Sequence, residues 1–179
     1  MRVAKLALAA AVLASLLIVG SVAAAAGKPA GGKIQVFVSQ QKGPRAKILI
    51  TGAIGDYGQT ISVDKRGKVN QNGDFQKVNL KKGTFEVDAT ALNKKLGTAG
   101  PKVNPATCSL VFSGSANTTA FNGTGLYKGI KGKIKITATF AGIAPRFTSG
   151  ANKGKCNFGQ NVPPLSQFQT ITGAGSVSF

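Results

Sequence analysis

Along most of this chain apolar and polar residues alternate one for one, which is the period of a strand with one buried face. The longest case leads into Ala141: Ile134, Ile136, Ala138 and Phe140 fall on one side, and Lys133, Lys135, Thr137 and Thr139 on the other. Lys33–Gln40 repeats the pattern with Ile34, Val36 and Val38. Thr84–Thr90 sets Phe85, Val87 and Ala89 opposite Glu86 and Asp88. Further strands are predicted at Ala46–Ile54, Gln59–Val63, Phe75–Leu80, Thr107–Ser115 and Gln169–Phe179, the last ending on an apolar residue suited to docking in a sheet. Turn signals separate them at Gln41-Lys42-Gly43-Pro44, Gly55-Asp56-Tyr57-Gly58 and Lys81-Lys82-Gly83, with glycine supplying the positive φ that tight reversals need. Asp64–Asp74 reads as an exposed polar connection, and Ala91–Leu96 as the one short helix, broken by the Gly97–Pro105 loop. Eight or nine strands and so little helix predict an all-β fold: a single antiparallel, roughly eight-stranded closed β-barrel, in which closure removes exposed edges.

Two stretches interrupt the alternation. At the start, Arg2 and Lys5 precede an uncharged apolar run from Leu6 to Val19, and a small-residue stretch ends at Ala24-Ala25-Ala26. This is the layout of a secretory signal peptide, residues 1–26, with cleavage near Ala26. The alternative is an uncleaved anchor, because Leu6–Ala26 approaches the roughly 20 residues that a bilayer needs. Cleavage leaves a flexible lead, 27–32, a β-barrel domain, 33–179, no transmembrane segment, and a secreted, extracellular product. The second interruption, Gly142–Pro164, is an irregular excursion carrying Pro145, Arg146 and Cys156. Loops this long in a compact domain are either functional or tethered. Cys108 and Cys156, in an exported chain, read as a disulfide that supplies the tether. In the chain-entropy model a loop of this length contributes about 4 kcal/mol when closed.

Charge narrows the partners. The chain has 23 Lys plus Arg against 5 Asp plus Glu, a formal net charge of +18, and no histidine. Such a surface attracts polyanions, so an anionic polymer or lipid surface is a candidate partner. The same lysines also keep a barrel soluble and its edges unpaired. Nucleic acid is disfavoured: the lysines are spread along the chain, Trp is absent, and most Phe residues occupy apolar strand positions, leaving neither exposed stacking aromatics nor a recognition helix.

The absence of histidine also excludes a Cys/His nucleophile. Acid–base chemistry would fall to Glu86 and Asp88, two carboxylates on one strand face, or to Asp56. The plainer reading turns Glu86 and Asp88 to solvent and leaves Asp56 serving its turn. Tyr57, Tyr127 and Arg146 are candidate ligand contacts. No ligand set suggests a metal, and no cofactor is expected.

The segment Gly123-Thr124-Gly125-Leu126-Tyr127-Lys128-Gly129-Ile130-Lys131-Gly132, followed by the long strand, resembles the G-[ST]-G-x-[FY]-x-G-x-x-G pattern of the allene oxide cyclase and dirigent barrels. The closing T-G-A-G-S-V-S-F is similar to that of small secreted bacterial proteins of this barrel type. The resemblance implies an eight-stranded antiparallel barrel in which Gly123, Gly125, Gly129 and Gly132 permit the bends by which a strand enters, with Tyr127 packed across them. It also implies a largely apolar interior, and a homo-oligomer, since related barrels often associate. No catalytic motif of those enzymes recurs, so no catalytic residue follows from it. The leading expectation is a secreted, non-catalytic barrel that binds an apolar small molecule inside or an anionic cell-envelope surface outside. The alternative is a cyclase- or dirigent-like enzyme guiding cyclisation or coupling in the cavity, which requires an open, ligand-sized pocket with a few convergent polar groups.

Overall fold

The computed structural model describes residues 29–40, 43–159 and 161–179. The expected signal peptide, the first two residues of the expected lead, the Gln41-Lys42 part of the first turn and Gln160 lie outside them. Within them the chain forms β1 (Gly32–Gln40), β2 (Arg45–Gly52), β3 (Asp56–Val63), β4 (Phe75–Leu80), β5 (Gly83–Asp88), α1 (Thr90–Thr98), β6 (Lys102–Asn104), β7 (Ser109–Phe121), a 3-10 turn (Gly125–Tyr127), β8 (Lys131–Ile143) and β9 (Ser166–Ser178). Eight of the strands close into an antiparallel barrel in the order β1-β2-β3-β4-β5-β7-β8-β9, with β9 returning to β1. The expected closed β-barrel is therefore the fold, with β6 as an extra short strand beside β7.

Register turns the sequence alternation into an inside and an outside. Ile34 and Val36 of β1, Ile48 and Ile50 of β2, and Ile134 and Ile136 of β8 are all buried, while Lys33, Lys47, Lys133 and Lys135 between them are exposed. Gly173 of β9 pairs with both Val36 and Ile136, so the last strand lies between the first and the eighth. The predicted docking of the C-terminal strand is thus complete.

The ring has one thin seam. β5 meets β7 over only three pairs, Glu86 with Phe121, Val87 with Ala120 and Asp88 with Thr119. Further along β7, Ser109, Leu110 and Val111 pair with β6 instead. Helix α1 covers the gap between these two pairings, with Leu92 buried and Leu96 pressed on Gly114. A Cβ at Gly114 would stand 3.0 Å from the Leu96 side chain, a tight contact that the glycine avoids.

Several local expectations are corrected. The β2–β3 turn falls at Ala53-Ile54-Gly55, so Asp56, Tyr57 and Gly58 belong to β3 and not to the reversal. Gly32, read as the end of the lead, pairs with Val177 inside the sheet. β7 runs unbroken from Ser109 to Phe121, because it has a long partner in β8. The helix is longer than its pattern suggested, and β6 emerges from the Gly97–Pro105 stretch. The excursion starts two residues later than expected, as β8 continues through Ile143, and β9 begins at Ser166, three residues before the expected Gln169.

Candidate functional site

The two ends of the barrel differ in construction. The Gly123–Gly132 segment crosses one end as a plug. Its Thr124 N–H donates to Thr84 O at 2.8 Å and its Leu126 N–H to Lys82 O at 3.0 Å, which binds it to the β4–β5 hairpin. Gly125 takes φ +58 and has no room for a Cβ against Lys82 O; a Cβ at Gly123 would overlap the Tyr127 carbonyl. Gly129 is also left-handed, and Gly132 lies flush against β9. The motif glycines therefore shape a plug beneath the barrel, not a bend within a strand.

Tyr127, fully buried, is the centre of that plug. Its hydroxyl donates to Asp56 Oδ2 at 2.6 Å, and the same carboxylate accepts the Lys82 N–H at 2.9 Å and the Tyr57 N–H at 2.8 Å. Burial by itself would raise the Asp56 pKa, but these three donors together hold it below the ordinary carboxylate value. Burial, followed by the hydrogen bond and charge of Asp56, drives the Tyr127 phenol well above its ordinary range. Phe85 packs edge-on to Tyr127 at 5.8 Å and Phe179 lies 6.2 Å away. These rings make an apolar floor.

Above Phe85 the barrel is open. A cavity of about 540 Å3 extends from the floor to the far end, walled by Val36, Ile48, Val78, Val87, Ile134 and Ile136 and capped on one side by Leu92 and Leu96 of α1. Three polar side chains converge on its β3–β4 wall. Gln76 accepts from Thr60 at 3.1 Å and donates to Ser62 Oγ at 2.9 Å, which leaves its second amide N–H and the Thr60 lone pairs as further hydrogen-bonding capacity on that wall. Thr118 is spent on the Ile134 carbonyl at 2.9 Å. The ionisable side chains that reach the cavity, Arg45 and Asp74, stand at the ends of their strands, on its rim.

A smaller cavity of about 300 Å3 lies beneath the tethered loop, walled by Leu110, Phe112, Phe158, Val162 and Phe168, and it shares Phe140 with the larger one. Phe140 stacks on Phe112 at 4.8 Å between the two. The loop above is held by the Cys108–Cys156 disulfide, as expected, with Cα atoms 5.3 Å apart and Cys108 buried at φ 56 just before β7.

The residues singled out in the sequence are scattered. Glu86 and Asp88 face away from the cavity: Glu86 accepts from Asn122 Nδ2 at 3.2 Å, and Asp88 accepts the Thr90 N–H at the start of α1 at 2.9 Å. Tyr57 is on the outside of β3 with Lys81 Nζ 5.7 Å from its ring centre. Arg146 clamps the loop, donating to Gly154 O and Ala106 O at 2.6 Å each. Asp56 and Tyr127 meet, but beneath the floor. Sequence reading missed Thr60, Ser62 and Gln76, although a signal existed: each is polar at a position whose parity is that of the core. Among the described residues no group of acids, cysteines or histidines could hold a metal ion, and no helix is long and apolar enough to cross a membrane.

These features define a class by architecture: a plugged, single-ended, eight-stranded antiparallel barrel with an apolar cavity. Compared with protein-family models, with characterised proteins and with solved structures, the chain matches none.

Proposed function

We propose that this protein is a secreted carrier or scavenger that holds an apolar small molecule in its barrel and performs no chemistry on it. The cavity carries the reading. Its volume lies in the range of small-molecule sites, its walls are branched aliphatic side chains, and its polar trio is neutral. An uncharged guest with one hydroxyl or carbonyl group suits it, because a charged group there would lose its hydration with no opposite charge to meet it. The leader pattern and the Cys108–Cys156 bond support export to an oxidising compartment.

The resemblance to cyclase and dirigent barrels supplies a second reading, a barrel that guides cyclisation or coupling. It is favoured by the convergence of Thr60, Ser62 and Gln76 on one wall. It is the weaker reading because, among the described residues, the one acid that reaches the cavity is Asp74 at its rim, outside the polar trio: Asp56 is engaged below Phe85, and Glu86 and Asp88 point outward.

Native mass spectrometry of protein purified from its own host tests the first reading, together with titration by a fluorescent long-chain alcohol. Saturable one-to-one binding and a co-purifying neutral lipid or metabolite are expected. Absence of both, at probe concentrations that saturate other lipid carriers, overturns it. Recovery of a chemically altered guest favours the second reading.

A further inference from the structure

The outer face of β7, β8 and β9 changes character along its length. In its middle, Ser115, Thr137 and Thr172 form one cross-strand row and Ser113, Thr139 and Thr170 the next. One row nearer the open end it turns apolar: Val111 pairs with Ala141, and Ala141 with Phe168. Ile143 follows in the next row, and Leu165 donates its N–H to the Ile143 carbonyl at 2.8 Å, immediately before β9. Leu165 is 72% exposed and Phe168 69%. An apolar rim confined to the mouth, on a face that is otherwise hydroxyls and lysines, lacks a partner among the described residues.

Charge identifies the partner. All five acids of the chain, Asp56, Asp64, Asp74, Glu86 and Asp88, precede residue 89. From there to the end only basic side chains carry charge: Lys102 pairs with Val111, and Lys153 and Lys155 are exposed on the tethered loop, while Asp64 and Asp74 belong to the β3–β4 connection and not to β7–β9 or that loop. Exposed Leu and Phe on a stretch of chain whose only charges are basic is the chemistry of a surface that seats in an anionic lipid interface. A second copy of the chain would bring the same lysines against themselves.

We infer that the mouth of the barrel docks on anionic lipid membranes through Leu165, Phe168 and the neighbouring lysines, and takes its apolar guest there. The inference rests on the carrier reading for its purpose, but not for its measurement. Docking places the smaller cavity, with Phe158 at its edge, between the bilayer and the Phe112–Phe140 pair. An apolar molecule then reaches the main cavity without crossing water.

The test is flotation of the purified protein with vesicles of phosphatidylcholine containing phosphatidylglycerol, and with vesicles of phosphatidylcholine alone. Binding to the first, weakened by salt, and far less to the second is expected. Leu165→Ser with Phe168→Ser should weaken binding by at least about tenfold, since each removes a side chain that the interface would bury. Lys153→Gln and Lys155→Gln should each weaken it about fivefold. Circular dichroism of each variant checks folding at sites where nothing is buried. Equal binding to both vesicle types, or unchanged binding by the Leu165/Phe168 variant, overturns the inference. So does a wild-type dimer that this variant dissociates without any vesicle binding, which would assign the rim to a second copy. Titration with the fluorescent alcohol in solution separates the two ideas: if it is saturable while vesicles are ignored, only docking fails, and if vesicles bind while the alcohol does not, only the carrier reading fails.

Discussion

The plugged end and the open end of this barrel are built from the same strands and solve opposite problems. At the floor Tyr127, Phe85, Ile130 and Ile34 are all nearly inaccessible, and the one carboxylate among them is met by three donors. At the mouth the same strands surround empty volume, helix α1 covers the gap beside the short β5–β7 pairing, and a disulfide holds the loop above. A closed ring needs only one well-packed end to fix its register. The other end is then free to stay hollow, which is what a binding barrel requires.

Truncations should expose this asymmetry most strongly. Tyr127→Ala removes a fully buried ring and leaves Asp56 short of its best donor; a loss of about 5 kcal/mol in urea denaturation is expected. Ile136→Ala, on the cavity wall, should cost about 2 kcal/mol, because part of its surface already faces empty space. Equal costs would mean that the cavity closes in solution. Between these two in size is the tether. Replacing Cys108 and Cys156 together by Ser frees a loop of sequence separation 48 and should lower stability by about 4 kcal/mol, with hydrogen exchange rising in the loop and at the β7 start before the floor is affected.

A smaller effect isolates the polar latch. Tyr127→Phe keeps the ring and should cost about 2 kcal/mol near neutral pH. The latch also sets a pH window. Because the Asp56 pKa is depressed, its contribution is present above the ordinary value of 3.8 and is lost as pH falls through the folded value. Because the Tyr127 pKa is raised, its contribution is complete below the ordinary value of 10.0 and is lost as pH rises beyond it. Thermal melts of the wild type and Tyr127→Phe across this range should therefore diverge least at the two extremes. A constant difference between them at every pH would remove the latch from the account.

Much of the barrel was legible because alternation is a local signal. Ile34-Val36-Val38 and Ile134-Ile136-Ala138-Phe140 each declare one buried face without reference to any other strand, and two cysteines allow a single pairing. What was illegible depended on pairing. Asp56 reads locally as a turn residue, and only the partner strands show that the turn ends one residue earlier and that its carboxylate meets a tyrosine 71 positions away. The motif glycines signalled constraint but not its form, since a plug and a bulge demand the same freedom of φ. Thr60, Ser62 and Gln76 looked like ordinary strand residues until the register of β3 against β4 placed them on the inner wall.

The mildest substitution is the most informative about the hollow end. Ala138 of β8 points its methyl into the cavity, with Ile136 and Phe140 on either side of it along the strand. Ala138→Phe adds a ring where the wild type has empty volume, so the apolar area it buries offsets the rotamer freedom it loses, and stability should change by no more than about 1 kcal/mol. In a barrel already packed to native density, the same change would cost about 1–3 kcal/mol through overpacking. Titration with the fluorescent alcohol should show binding lost by at least about tenfold, because the ring occupies the guest's place. Stability retained with binding lost would establish that the space is open in solution and used. Stability lost to the extent expected for overpacking would show that the strands around it close when no guest is present, and would make the two ends of the barrel alike.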